Sequence, residues 1–115
     1  MKLWCDTSTE AECREIMDAA GGEENCLKIA GNPVAVGYTA SKIRWLKKNN
    51  PSAYQKMTTI LLPHDYINFY LTGNKVMEHG DASGTGFLDV RSRAWSTELL
   101  SAMDCDRNLI DCLPE

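Results

Sequence analysis

A 3.6-residue rhythm opens the chain. Cys13, Ile16, Met17 and Ala20 recur at i, i+3, i+4 and i+7, with Glu12, Arg14, Glu15 and Asp18 between them, and this spacing predicts an amphipathic helix. Thr7-Ser8-Thr9-Glu10 stands before it in the order of a capping box, and Gly21-Gly22 ends it. In that box the Thr7 hydroxyl accepts from first-turn amides while Glu10 reaches back. A second, short helix is expected over residues 23–30, stopped by Gly31-Asn32-Pro33, since proline disfavours helical geometry in the residue before it. Thr39 is placed to cap a third through Lys42, Ile43, Trp45 and Leu46, with a further helical turn from Pro51 to Lys56. Residues 34–38 fit neither period.

The pattern then changes. Thr58-Thr59-Ile60-Leu61-Leu62 is short, continuous and partly β-branched, the signature of a strand buried centrally in a sheet. Lys2-Leu3-Trp4-Cys5, Lys75-Val76-Met77-Glu78 and Phe87-Leu88-Asp89-Val90 read as further short strands. Between them, Tyr66, Ile67, Phe69, Tyr70 and Leu71 form a helix ended by Thr72-Gly73-Asn74, its aromatic residues assigned to the core. His64, at its start, reads as a capping or hydrogen-bonded residue. Trp95 before an N-cap Ser96, with Leu100 as staple partner, begins a last helix, and a final turn covers residues 106–112. Helices alternating with short strands define an α/β domain. The segment from His79 to Gly86 stands apart, because small residues crowd around one carboxylate, Asp81, so that backbone or ligand can approach closely. A turn with a capping aspartate has the same composition.

Composition bounds what such a domain does. At 115 residues it is one compact unit. Sixteen Asp and Glu against twelve Lys and Arg give a net charge of −4, which argues against a dedicated nucleic-acid binder. Lys42, Arg44, Lys47 and Lys48 cluster on the third helix, where a solvated face accounts for them. No apolar run approaches the roughly 20 residues that span a bilayer, and the first residues lack a signal peptide's apolar region. A cytoplasmic protein without membrane partners is therefore expected. Cys5, Cys13, Cys26, Cys105 and Cys112 contain no Cys-x-x-Cys pair, and His64 and His79 lie far from any knuckle. Free thiols are expected rather than disulfides or a metal site, with Cys13 a small buried hydrophobe.

Three segments, in order, carry a resemblance. They are Leu3-Trp4-Cys5-Asp6-Thr7-Ser8, then Gly37-Tyr38-Thr39-Ala40-Ser41-Lys42-Ile43-Arg44-Trp45-Leu46, then Leu61-Leu62-Pro63-His64-Asp65-Tyr66 through Leu71-Thr72-Gly73. The last continues into Gly80-Asp81-Ala82-Ser83-Gly84-Thr85-Gly86-Phe87-Leu88-Asp89-Val90 and Trp95-Ser96. Together they resemble the FGGY family of carbohydrate kinases, most closely its xylulokinases. The resemblance implies part of a ribonuclease H-like, actin-like ATPase domain: a short mixed sheet with flanking helices, on the N-terminal, sugar-binding side. It implies transfer of the γ-phosphoryl of Mg-ATP to a pentulose, D-xylulose giving D-xylulose 5-phosphate. The family's opening phosphate hairpin and its C-terminal ATPase domain have no counterpart in these residues, so neither ATP nor magnesium is expected to bind this chain tightly, and alone it should be inactive.

Carried over by position, Asp81 matches the family's catalytic aspartate, which takes the proton of the substrate hydroxyl. Trp4 matches a tryptophan lining the substrate pocket, and an ordinary core tryptophan is its equal alternative. Asp6 matches the aspartate of a Trp-x-Asp-x-Arg signature, bonding sugar hydroxyls or bracing the pocket. Ser8 departs from that signature, removing a bidentate donor. The alternatives are a non-catalytic sugar-binding or interaction module on the same scaffold, or a kinase for ribulose, gluconate or glycerol. A strand absent from the front of the sheet would leave an open edge through which copies pair.

Overall fold

The computed structural model describes residues 2–105 and Leu109. Seven helices and one hairpin follow in order: α1 Glu10–Ala19, α2 Glu23–Ala30, α3 Thr39–Asn49, α4 Pro51–Gln55, α5 Pro63–Thr72, α6 His79–Ser83, β1 Leu88–Asp89, β2 Ala94–Trp95 and α7 Thr97–Ala102. Strands β1 and β2 pair antiparallel, Leu88 opposite Trp95 and Asp89 opposite Ala94, the only sheet among the described residues.

Helix α1 packs on both α3 and α7. Its predicted stripe is the buried one: Cys13 and Ile16 face inward, with Ala20 just past the helix end. The start of the helix differs from expectation. Thr9, not Thr7, precedes the first turn, and its side chain caps nothing. Its hydroxyl turns inward instead, donating to the Val36 carbonyl at 3.2 Å and lying 2.9 Å from the buried Ser41 hydroxyl of α3. A hydroxyl pair inside a core must satisfy itself locally, and this one fastens the start of α1 to α3.

Charge reinforces the same seam. Arg44 reaches Glu15 at 2.9 Å, and Lys48 reaches Glu12 at 2.9 Å and Glu15 at 2.7 Å. Glu12 is buried, so Lys48 compensates a carboxylate that water does not reach. Lys47 pairs with Asp104 at 2.6 Å. The basic cluster of α3 is thus largely engaged with acidic neighbours, in keeping with its reading as an ordinary helix face.

The strand expectations fare unevenly. The segment 87–90 does hold a strand, β1, but residues 58–62 pair in no ladder among the described residues, and there Ile60 donates to the Leu109 carbonyl at 3.0 Å. Residues 2–5 form a turn closed by the Asp6 amide on the Leu3 carbonyl at 3.1 Å, and residues 75–78 run into the cap of α6. In each case the local apolar content is right, while no neighbouring strand among the described residues supplies the pairing a sheet needs. The final turn lies outside the described residues, apart from Leu109. At the other end of the hairpin the prediction holds: Ser96 caps α7 by accepting from the Leu99 amide at 3.2 Å, with Trp95 and Leu100 both buried.

Gly86 explains part of the small-residue segment. Its φ is +90°, and a Cβ there would lie 3.1 Å from that of Ala40. Beside it the Ala40 amide donates to the Thr85 carbonyl at 2.8 Å. The chain after α6 therefore runs hard against the start of α3, and only glycine combines that conformation with that approach.

Candidate functional site

A cavity of about 420 Å³ opens between the N-terminal turn, the start of α3 and the segment leading into α5. Trp4 and Trp45 supply aromatic walls, Leu61, Leu62 and Pro63 an apolar one, and Thr39, Lys2 and Lys42 the polar groups. Lys42 holds the entrance in shape, donating to the Leu3 carbonyl at 2.7 Å and the Gly37 carbonyl at 3.0 Å. Lys2 places its ammonium 3.8 Å from the centre of the Trp45 ring, a favourable cation–π distance. Trp4 itself is 82% exposed. In this chain it lines an open cavity and is not part of the core.

Asp6 does not line the cavity. Its Oδ1 accepts from the Ser8 amide at 2.8 Å and the Ser8 hydroxyl at 2.5 Å, and its Oδ2 faces Lys2 at 3.4 Å. These Ser8 bonds, aided by Lys2 and only partly opposed by desolvation, pull the Asp6 carboxyl down to about 2. Ser8 thus closes a local turn on Asp6. The bracing alternative for Asp6 fits this geometry, through Lys2, which also leans on Trp45.

Asp81 sits in the first turn of α6. Glu78 caps that helix, accepting from the amides of Gly80 at 2.6 Å and Asp81 at 3.0 Å, and these bonds hold the Glu78 carboxyl below its usual range. The Asp81 side chain is 63% exposed, and its Oδ2 lies 3.2 Å from His64 Nε2. The same nitrogen lies 3.0 Å from Oδ1 of Asp65, which is buried. Burial pushes the Asp65 carboxyl up, with the neighbouring His64 opposing. His64 therefore joins the start of α5 to the first turn of α6.

The three expected site residues are not gathered in one pocket: Trp4 lines the cavity, while Asp6 and Asp81 stand outside it. Pro63 is the link, since it lines the cavity and is followed directly by His64, which reaches Asp81. His64, Asp65, Lys42 and Trp45 carry no site signal of their own in the sequence, although each lies within the segments that carry the family resemblance. Among the described residues no three His, Cys, Asp or Glu side chains gather as a metal site. Cys13 and Cys26 are buried free thiols whose burial raises them above the usual thiol range. No helix among the described residues is long and apolar enough to cross a membrane.

Over residues 1–115 the chain matches the N-terminal domain of the FGGY family of carbohydrate kinases, and it belongs to that family. It is 40% identical over 114 residues to the xylulose kinase of Haemophilus influenzae, covering 99% of this chain and 23% of that protein. To the Lactococcus lactis xylulose kinase it is 39% identical over 113 residues, 98% of this chain and 22% of the relative. Among solved structures, a xyloylose kinase from Brucella ovis superposes with a TM-score of 0.86 at 33% identity, over 98% of this chain and 22% of that one. Xylulose kinase from Rhodospirillum rubrum gives 0.82 at 27% identity, over 95% and 22%. The architecture is thus part of the actin-like ATPase fold of these sugar kinases. The chain spans less than a quarter of the length of these relatives.

Proposed function

We propose that this chain forms a sugar-side wall of a carbohydrate kinase that moves the γ-phosphoryl of ATP to a hydroxyl of D-xylulose, giving D-xylulose 5-phosphate and ADP. The cavity beside Trp4 carries this reading. An indole face suits the carbon side of a small sugar, and a few fixed polar groups among apolar walls suit its orientation. The names of the relatives favour a pentulose. Magnesium-ATP is the co-substrate this chemistry calls for. The described residues offer no cluster suited to a metal, and we assign the nucleotide and its magnesium to parts of the longer kinases that this chain does not span.

The test is a graft in which the chain replaces the matching segment of the Haemophilus influenzae kinase. Over D-xylulose, D-ribulose, gluconate and glycerol, coupled ADP release should give D-xylulose the highest kcat/KM, by about tenfold or more, a gap of about 1.4 kcal/mol. Preference for another substrate would transfer the reading to that sugar. A folded graft that binds pentulose without turnover would favour the non-catalytic module.

Asp81 admits two roles, proton acceptor or first-turn carboxylate. Its place outside the cavity and the 3.2 Å approach of His64 Nε2 support the second, in which it favours the helix N-terminus and faces the start of α5. In the graft, Asp81→Asn is then expected to leave kcat within about threefold, well short of the 10²–10⁴-fold (roughly) that loss of a general base brings. A fall of that larger size with KM little changed would make Asp81 the proton acceptor.

A further inference from the structure

Helix α5 is built inside out. Its one buried residue is the charged Asp65, while Tyr66, Ile67, Tyr70 and Leu71 are 58%, 58%, 79% and 73% exposed. The expectation that the aromatic residues of this helix belong to the core is corrected for Tyr66 and Tyr70, which are exposed, while Phe69 is half-buried. Spaced i, i+1, i+4 and i+5, the four exposed residues form one continuous stripe. No other described element packs broadly against the helix. A soluble surface rarely keeps such a stripe open, since contiguous exposed apolar patches mark contact sites.

We infer that this face of α5 is an internal interface of the longer kinase, covered by an apolar surface of the same polypeptide that lies outside this chain. The inference rests on the reading of the chain as one portion of such a kinase. One observation chooses this occupant: the relatives are more than four times as long as the stretch they share with this chain, so most of their length is available to cover it. A covering segment in the same polypeptide also has its effective concentration supplied by tethering. The stripe begins one turn beyond Pro63, which lines the cavity, so the segment that covers it would also brace that wall.

Cysteine labelling tests the inference. Tyr70→Cys, with Glu24→Cys on the exposed face of α2 as reference, is pulsed with a maleimide in the chain alone and in the graft, and modification is read site by site from peptide masses. The two positions should label at similar rates in the chain alone, and position 70 at least about a hundredfold more slowly in the graft. Equal rates at both positions in a graft that phosphorylates sugar would overturn the inference. So would protection of position 70 in the chain alone that grows with protein concentration alongside a dimer mass, because a second copy would then be the occupant. Sugar phosphorylation by the graft reports separately on the functional reading. Leu71→Glu supplies a second measurement: it should lower the unfolding midpoint of the graft while leaving that of the chain alone nearly unchanged, and equal shifts in both would contradict the interface.

Discussion

Replacing Phe87 with alanine is expected to lower the unfolding free energy of the chain by about 3–5 kcal/mol. Phe87 is fully buried, and its ring centre lies 5.1 Å from that of Trp95 at a tilt of 52°, a favourable aromatic geometry. Its carbonyl accepts from the Ser96 amide at 2.9 Å, so the residue ties the hairpin to the cap of α7 as well as filling the core. Gly86, pressed against Ala40, leaves the backbone little room to collapse into the space the ring would vacate. The cost should therefore stay near the full value for a cavity-forming exchange. Set against the roughly 5–15 kcal/mol that stabilises a typical domain, it is a large fraction. Urea unfolding of parent and variant measures it as a lower midpoint at an unchanged slope. A loss below about 1 kcal/mol would mean that the hairpin and α7 are not part of the cooperative unit.

Much of this core could be read from periodicity. Cys13, Ile16 and Ala20 lie on the predicted stripe and are buried, Gly73 ends its helix in the left-handed conformation expected of it, and the helix expected to stop at Gly31-Asn32-Pro33 does so, with Gly31 left-handed. Helical spacing and caps are local properties, and local properties survive in a single sequence. What failed depends on partners distant in the chain. Residues 58–62 have strand composition, yet among the described residues a ladder partner is absent, and composition does not reveal that. Thr9 takes the N-cap position expected of Thr7, yet its hydroxyl turns into the core because Ser41, 32 positions on, lies in reach. Tyr66 and Tyr70 of α5 have core composition, but among the described residues nothing forms the core they would enter.

The candidate site shows the same division. Trp4 could be proposed from a short motif, whereas Lys42 and Trp45, which help complete its cavity, come from α3 and are joined to it only by folding. His64 is the clearest omission. Alone it reads as an ordinary residue at a helix start, and it gains meaning from two carboxylates, Asp65 beside it in sequence and Asp81 a helix away. In the sequence Ser8 stands out only for the arginine of the family signature that it replaces. Its own action, holding Asp6 through two hydrogen bonds, needed coordinates.

The second large effect concerns the sugar. Trp4 lines the cavity yet is mostly open to water, so a ligand would cover a large apolar surface there that the chain leaves uncovered. Burying an aromatic side chain is worth about 1.5–3 kcal/mol. Truncation to alanine should forfeit most of that on binding while costing the fold little, since the indole makes few contacts to lose. Lys42 still fastens the Leu3 carbonyl to the loop before α3, so the backbone at position 4 should keep its place. Loss of an interaction made equally in ground and transition states raises KM and spares kcat.

The steady-state kinetics of Trp4→Ala in the graft, with D-xylulose and ATP varied in turn, therefore test most directly whether this cavity receives the sugar. The KM for D-xylulose should rise roughly 10- to 100-fold, with kcat and the KM for ATP within about twofold of the parent. An unchanged KM for D-xylulose in a folded, active graft would place the sugar elsewhere and contradict the account.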